Sequence, residues 1–180
     1  MNDKVVKEAL SYALGSDLHE AWRLPRKKED GTFEPRIKKS NDEAWNSSHG
    51  TDKVDIANYT FEELPSNWQY ENLEAARVAI ELVYDKTMAS EQITPKELEQ
   101  LAAIIHEEWL KRNSYVFGPI EQGGRPDLAV PYEKLDPIEK EKDKVQIVAA
   151  QTKVQAYMNG LIDIASICEQ YGIQSSGKRL

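Results

Sequence analysis

The chain has 180 residues, of which 40% are hydrophobic and 30% charged, and its formal net charge is −8. This composition excludes a disordered or membrane-embedded chain, and the acidic balance argues against a general nucleic-acid coat, which needs basic residues to neutralise phosphates. Cys168 is the single cysteine, which excludes an intrachain disulfide framework and a cysteine-based zinc cluster. The N-terminus shows no apolar signal segment, so we expect a cytoplasmic protein without membrane contact.

The N-terminal third divides into one helix and one long polar segment. A helix is predicted over about Asp3–Trp22, because one apolar stripe recurs every four residues. The stripe consists of Val6, Leu10, Leu14, Leu18 and Trp22. Residues 24–60 carry few helix signals, and Asp30-Gly31 predicts a hairpin turn. Long irregular segments of this kind are often functional or mobile.

Three further helices are predicted to begin at the capping residues Ser66, Thr94 and Asp136. A short last helix is predicted to end at Gly172, before a frayed tail over 173–180. The stripes expected to be buried are Leu73, Ala76, Ile80 and Val83; Leu98, Leu101, Ile105 and Trp109; Ile138, Val145, Ala149, Thr152 and Ala156; and Leu161, Ile164, Cys168 and Tyr171. Residues 113–132 combine aromatic residues with glycine and proline, which predicts short extended pieces joined by turns. The predicted fold class is mainly α, with long loops and short β pieces.

A sequence repeat indicates an internal duplication. Leu14–Trp22 reads L-x-x-x-L-H-E-x-W, and Leu101–Trp109 reads L-x-x-x-I-H-E-x-W, 87 residues later. Turn-rich residues follow each copy, and then come DKVDIA at 52–57 and DKVQIV at 143–148. The pattern predicts two related half-domains in a pseudo-two-fold helical pair, since two copies are too few for a solenoid. A chance match of a short motif is the alternative.

The two H-E-x-W segments invite a zinc interpretation, which their spacing argues against. A zincin helix needs a second histidine four residues after the first, and Arg23 and Leu110 occupy those positions. A site built from His19, His106 and carboxylates would require the two halves to face each other, and no metal is predicted. The structural interpretation is that each imidazole hydrogen-bonds a neighbouring loop while the indole three residues later covers the core. Part of a ligand pocket is the alternative.

Other patterns give weaker indications of chemistry. The chain has no nucleophile elbow, P-loop or dinucleotide fingerprint. Gly123-Gly124-Arg125 has the composition of an anion cradle, although two glycines in a loop usually mark a turn. Seven basic residues against three acidic ones between Arg23 and Lys39 could contact phosphates or form a solvated hairpin. Residues 61–109 carry eleven acidic residues against three basic ones, so oppositely charged faces could attract each other within one chain or between two chains.

Several pieces between residues 55 and 160 occur in an order and spacing typical of one family. They are His106-Glu107 with Trp109; the turn Tyr115–Gly118; Pro126 with Leu128; Val130-Pro131-Tyr132 with Leu135; and Glu139-Lys140 with Asp143-Lys144. This region resembles the ryanodine-receptor repeat domain, or RyR domain. Phe117, Ala129 and the form YVFG in place of WTYG depart from the family pattern. The resemblance implies a soluble, helical, non-enzymatic module, of which stand-alone relatives occur in bacteria and phages.

Residues and resemblance together predict a binding module without catalysis or cofactor. Its ligand would be a protein partner or a small molecule, with an anion as one candidate, and homo-oligomerisation stays open. The residues expected to bind are His19, Trp22, His106, Trp109, Tyr115, Arg125 and Tyr132. The predicted limits are 1–57 for a helix with a long loop, 58–172 for a RyR-like helical domain and 173–180 for a tail, unless the chain forms one compact unit. The alternatives are a hydrolase of phosphorylated or nucleotide substrates, which needs His19 and His106 to converge, and a phage accessory protein that binds a host protein or DNA.

Overall fold

The computed structural model describes residues 2–174 and is mainly helical, which confirms the predicted class. Its helices are α1 (Asp3–Arg23), α2 (Glu43–His49), α3 (Ser66–Met88), α4 (Pro95–Arg112), α5 (Pro137–Met158) and α6 (Ile164–Tyr171). Two short strands, β1 (Ile37–Lys39) and β2 (Lys53–Asp55), pair antiparallel with Lys38 opposite Val54. Over residues 2–174, every helix is too short or too polar to traverse a lipid bilayer.

The chain divides into two compact units, and the division passes through α3. The first unit contains the described residues up to Ala76 and from Ala165 onward, and the second contains Arg77–Ile164. In the first, the core includes Val6, Leu10 and Phe61, whereas in the second α4 packs against α5. The tail predicted for 173–180 lies, from residue 175 onward, outside the described residues.

The capping residues set most helix starts as predicted. Thr94 caps α4 in a reciprocal arrangement with Glu97, and Asp136 caps α5 by accepting a hydrogen bond from the Ile138 N–H at 2.8 Å. α3 begins at Ser66 as predicted, but the capping role predicted for Ser66 is wrong, since Ser66 is the first residue of the helix and its N–H donates to Asp42 Oδ2 at 2.9 Å. Asp42 also caps α2, because its Oδ1 accepts from the Trp45 N–H at 3.0 Å. The Asp42 carboxylate therefore accepts a hydrogen bond from an N–H group in the first turn of each of two helices, α2 and α3.

The predicted buried stripes hold on two helices. All four residues predicted for α3 are buried, and on α1 Val6, Leu10 and Leu14 are buried while Leu18 and Trp22 are half-buried. On α4, Ile105 is buried together with Ala102 and His106. Leu98, Leu101 and Trp109, the rest of the α4 stripe, are half-buried.

The predicted stripe of α5 is wrong. Ile138 is 71% exposed, and Val145 and Thr152 are exposed as well. The face that is buried instead consists of Asp143, Ile147, Ala150 and Val154. The helix has apolar residues on two faces, and the face that is buried includes the Asp143 side chain. An aspartate is usually exposed, so the residue types alone favour the other face as the buried one. Leu161, predicted as buried near α6, is also exposed, since it precedes the first turn of that helix.

The long segment 24–60 is more ordered than its sequence suggests. The hairpin turn is confirmed, with Lys27 bridging Phe33 around Gly31. The sequence prediction missed α2, β1 and β2, because a helix of seven residues and strands of three are too short to show a periodicity. Tryptophans fix this segment from both sides: Trp45 Nε1 donates to Glu63 O at 3.1 Å, and Trp68 Nε1 donates to Lys39 O at 3.0 Å.

The prediction of short extended pieces over residues 113–132 is also wrong. Three short 3-10 turns lie there or just beyond, at Ser114–Phe117, Ile120–Gln122 and Tyr132–Lys134. Prolines and glycines at close spacing favour such turns, in which each N–H reaches the carbonyl three residues back. The aromatic and β-branched residues that suggested strands are therefore presented from turns.

We expect Gly15→Ala to stabilise the protein by about 0.5–1 kcal/mol, because alanine restricts the unfolded chain more than glycine does. Gly15 lies buried within α1, and an added Cβ would lie 3.5 Å from Asn72 O, Leu73 Cα and Phe61 Cε2, which is ordinary contact. Ala102 occupies the same motif position in α4, so Ala102→Gly is the matched control, with a loss of similar or larger size. Urea denaturation followed by circular dichroism measures both, and a clear loss of stability in Gly15→Ala would contradict the packing described here.

Candidate functional site

Both motif histidines tie a helix to the end of the loop that follows it. His19 of α1 is 2% exposed, and its Nε2 lies 2.9 Å from Tyr59 O. His106 of α4 is 3% exposed, and its Nε2 lies 2.8 Å from Val130 O. A carbonyl oxygen only accepts, so Nε2 carries the hydrogen in both rings. The predicted hydrogen bond from each imidazole to a loop is confirmed, and neither Nε2 is available as a base while that bond is in place.

Each imidazole stacks on the indole three residues later. The ring centroids of His19 and Trp22 are 5.9 Å apart at 21°, and those of His106 and Trp109 are 6.0 Å apart at 20°. Both indoles are half-buried. The two H-E-x-W segments therefore build the same local frame, which consists of a donated hydrogen bond and a stacked ring pair.

The first-unit frame is completed by Arg23, at the position where a zincin helix would place its second histidine. Arg23 is buried, its Nε donates to Ala57 O at 2.8 Å, and its Nη1 contacts Glu20 at 2.6 Å. Its guanidinium carbon also lies 4.3 Å from the centre of the Phe33 ring. Burial, partly offset by the hydrogen bond to Tyr59, lowers the pKa of His19, and the nearby Arg23 charge lowers it further.

The likeness between the two segments extends into a turn that the sequence comparison did not align. Tyr59 and Val130, the two acceptors, each lie two residues before a 3-10 turn of similar sequence, FEEL at 61–64 and YEKL at 132–135. The alignment of DKVDIA with DKVQIV is wrong, because the first lies on and beside β2 and the second lies within α5. Chain separations between histidine and acceptor are 40 and 24 residues, so the first copy holds 16 more residues in its loop.

One position of this corrected alignment differs in charge. Asn72 of α3 and Asp143 of α5 each follow the aromatic residue of the turn by 11 positions. Asp143 is 8% exposed, and its Oδ2 lies 3.6 Å from His106 Nδ1. Burial, reinforced by Glu139 and opposed by Lys142, raises the pKa of Asp143 to about 7. Sequence reasoning did not select Asp143 as a site residue, because an aspartate in a lysine-rich stretch is usually exposed.

Tyr132 belongs to the core of the second unit. It packs with Ala102 and Leu135, and its hydroxyl donates to Glu99 Oε2 at 2.9 Å. Burial and the neighbouring Glu99 carboxylate raise the pKa of Tyr132. Its ring centre is 6.5 Å from that of His106, so the structure brings together three predicted site residues of this unit: His106, Trp109 and Tyr132.

The turn favoured for Gly123-Gly124-Arg125 is present, and its N–H groups are not arranged as an anion cradle. Their N–H groups donate to carbonyls of the same loop: Gly123 to Ile120 at 3.0 Å, Gly124 to Pro119 at 2.9 Å and Arg125 to Val116 at 2.9 Å. The Arg125 guanidinium makes two parallel hydrogen bonds to Asp127, of 2.9 and 2.6 Å, which raise the pKa of Arg125. The three backbone N–H groups and two of the five guanidinium N–H groups are thus already engaged within the loop.

The loop over residues 113–124, here called the aromatic loop, presents apolar side chains to solvent. Tyr115, Phe117 and Ile120 are 54%, 62% and 69% exposed. Of these, sequence reasoning selected only Tyr115. Phe117 and Ile120 flank Gly118-Pro119, and an apolar residue next to such a turn was the available signal for an exposed position.

In residues 2–174, no three histidine, cysteine, aspartate or glutamate side chains are grouped so that they could hold an ion. Comparison with family models, with curated proteins and with solved structures finds no match to this chain.

Proposed function

We propose that the protein is a RyR-type binding module that recognises a protein partner through the aromatic loop. The observation that carries this proposal is the exposure of Tyr115, Phe117 and Ile120 within six consecutive residues. Leaving apolar area in water is unfavourable at about 25 cal/mol per Å², so a partner that covers these side chains gains that free energy. Clustered exposed apolar residues mark interaction sites, and aromatic side chains often dominate binding energies.

The backbone of the aromatic loop is held in advance of binding. Val116 N–H donates to Asn113 O at 3.1 Å and Gly118 N–H donates to Tyr115 O at 3.0 Å, while Val116 O accepts from Arg125 N–H. Gly124 approaches Gly118 so closely that no side chain fits between them. A loop fixed in this way loses little conformational entropy when it binds, which favours affinity.

The same geometry favours a protein over an anionic small molecule. Arg125 is neutralised by Asp127, and the loop N–H groups donate to loop carbonyls. His19 and His106 are buried, with Nε2 committed to carbonyl oxygens. Three of the exposed side chains of the aromatic loop are large and apolar, and their natural complement is an apolar groove on a protein.

The RyR part of the proposal rests on the repeated frame. The pieces that carry the resemblance include His106, Trp109, Tyr132 and Leu135, and the first unit repeats them with His19, Trp22, Phe61 and Leu64. In this proposal the two frames are the halves of one RyR-type repeat pair, and the aromatic loop belongs to the second half. The loop of the first unit then differs from that of the second by 16 additional residues between the histidine and its acceptor carbonyl.

Capture of partners under native conditions tests the proposal. The double variant Phe117→Ser, Ile120→Ser removes the apolar contacts, and Leu24→Ser, Ile37→Ser is the matched control, since Leu24 and Ile37 are 66% and 57% exposed elsewhere in the chain. We expect a partner that wild type and control retain equally and that the loop variant retains about tenfold less, or lower still. Equal retention by all three forms would overturn the proposed surface.

A thermal-shift screen with nucleotides and metabolites tests the alternative that the protein binds a small ligand. A ligand that prefers the folded state raises the unfolding temperature. A shift that the loop variant preserves would assign binding to another surface and contradict the present proposal.

A further inference from the structure

The contact between His106 and Asp143 brings two hydrogen-bond acceptors close together. His106 Nε2 donates to Val130 O at 2.8 Å, so in a neutral ring Nδ1 carries only a lone pair. That lone pair faces Asp143 Oδ2 at 3.6 Å, in a place where both side chains are almost fully buried. Two acceptors that face each other away from water repel, unless one proton resides on the carboxyl group or on Nδ1.

The surroundings of Asp143 keep its carboxyl group protonated up to near neutral pH. Burial is the main cause that raises the pKa of Asp143 to about 7, and the Glu139 carboxylate adds to it while Lys142 opposes it. Tyr132 approaches from the turn before α5, hydrogen-bonded to Glu99 of α4, which is also paired with Lys144. The titratable groups around the pair are therefore Glu99, Tyr132, Glu139, Lys140, Glu141, Lys142 and Lys144.

We propose that the His106–Asp143 pair holds one proton, and that release of this proton breaks the hydrogen bond between His106 of α4 and Val130 O. When the proton leaves for solvent, Asp143 becomes a carboxylate, and His106 can satisfy it only by carrying its hydrogen on Nδ1. Nε2 then presents a lone pair to Val130 O, and the hydrogen bond that holds the end of the 113–130 segment is lost. The inference goes beyond the proposed function, since it concerns the order of this segment whether or not a partner binds there.

The first unit supplies an internal comparison. Asn72 stands at the position of Asp143, and its amide donates to Trp68 O at 3.0 Å. The frame around His19 therefore has no ionisable group at this position, and its bond to Tyr59 O does not depend on a proton shared there. Asp143→Asn gives the second unit the residue of the first. An asparagine amide can donate to Nδ1 at every pH, which keeps the hydrogen of His106 on Nε2.

Nuclear magnetic resonance of the full chain between pH 4 and 9 tests the proposal. We expect the Asp143 carboxyl carbon to titrate near pH 7, and the amide signals of Val130 and Arg125 to shift with the same midpoint. The ring nitrogens of His106 should show the hydrogen on Nε2 below this midpoint and on Nδ1 above it. The signals of Tyr59 should show no step with that midpoint. In Asp143→Asn the step at Val130 and Arg125 should disappear, and both amides should keep their low-pH positions.

The free energy of unfolding provides a second test, because the proposal predicts the direction in which it changes with pH. The folded pKa of Asp143 is raised above the unfolded value of 3.8, so its contribution is fully present below pH 3.8 and is lost as the pH rises through about 7. The free energy of unfolding of the wild type should therefore fall relative to that of Asp143→Asn across this window. A carboxyl titration below pH 5, or an unchanged step at Val130 in the variant, overturns the proposal. The carboxyl titration needs only wild-type protein, so it decides the question even if the variant does not fold.

Discussion

Replacing Gly124 with alanine is expected to destabilise the protein by about 2–3 kcal/mol, at the upper end of the range for overpacked sites. An added Cβ would lie 1.9 Å from Gly118 O, 2.6 Å from Gly118 C and 2.9 Å from Pro119 C. All three are backbone atoms, which cannot swing aside as the end of a long side chain can. The aromatic loop would have to open, and the bond between Arg125 N–H and Val116 O would be strained with it. Urea denaturation with a probe in this unit, such as the fluorescence of Trp109, measures the loss.

Gly123→Ala is the matched control for this prediction. Gly123 adopts a positive φ of 93°, but an added Cβ would meet nothing within 4 Å. The expected loss is about 1–2 kcal/mol, from backbone conformation alone. A loss in Gly124→Ala no larger than that in Gly123→Ala would mean that the two loop segments are not in contact as described.

Replacing Arg23 with methionine is expected to destabilise the protein by about 2–3 kcal/mol, because a buried carbonyl group loses its donor. The Arg23 Nε–H is the group that donates to Ala57 O, and methionine fills similar volume without a donor. The contact between the guanidinium group and the Phe33 ring is lost as well. Thermal and urea unfolding measure the change, and the circular dichroism spectrum of the folded variant checks that α1 persists.

Glu20→Gln separates the hydrogen bond to Ala57 from the ion pair of Arg23. The Glu20 side chain is 50% exposed, so its 2.6 Å contact with Arg23 is screened by water and worth about 0.5 kcal/mol or less. We therefore expect Glu20→Gln to be nearly neutral. If it proves as costly as Arg23→Met, the ion pair rather than the carbonyl contact holds Arg23 in place.

The helices that the sequence predicted well are those with strong local signals. Thr94 with Glu97, and Asp136 with Pro137, mark helix starts by chemistry that acts within one turn. The short α2 was missed although Asp42 caps it within one turn, because seven residues are too few to show an apolar stripe. Asp42 also accepts from the Ser66 N–H, 24 residues further along the chain. Contacts over that distance are set by the tertiary structure, which a periodicity does not record.

The candidate site was predictable in part for the same reason. The H-E-x-W spacing places imidazole and indole on neighbouring positions of a helix, and both stacked pairs are present. The role of Asp143 was not predictable, because a buried carboxylate looks like any surface acid in a lysine-rich stretch. Nor was the engagement of Arg125 by Asp127, since only the folded loop decides whether an arginine is offered to a ligand or to a neighbour.

The shared frame also has a consequence for the length of the connection that it closes. Histidine and acceptor carbonyl are joined by 40 residues in one unit and by 24 in the other, yet the two hydrogen bonds are 2.9 and 2.8 Å long. The closure therefore does not fix the length of the intervening segment, because each doubling of a flexible loop costs only about 0.6 kcal/mol. An insertion between the two anchors is expected to leave the helices in place, so these connections are where the chain can be lengthened most readily.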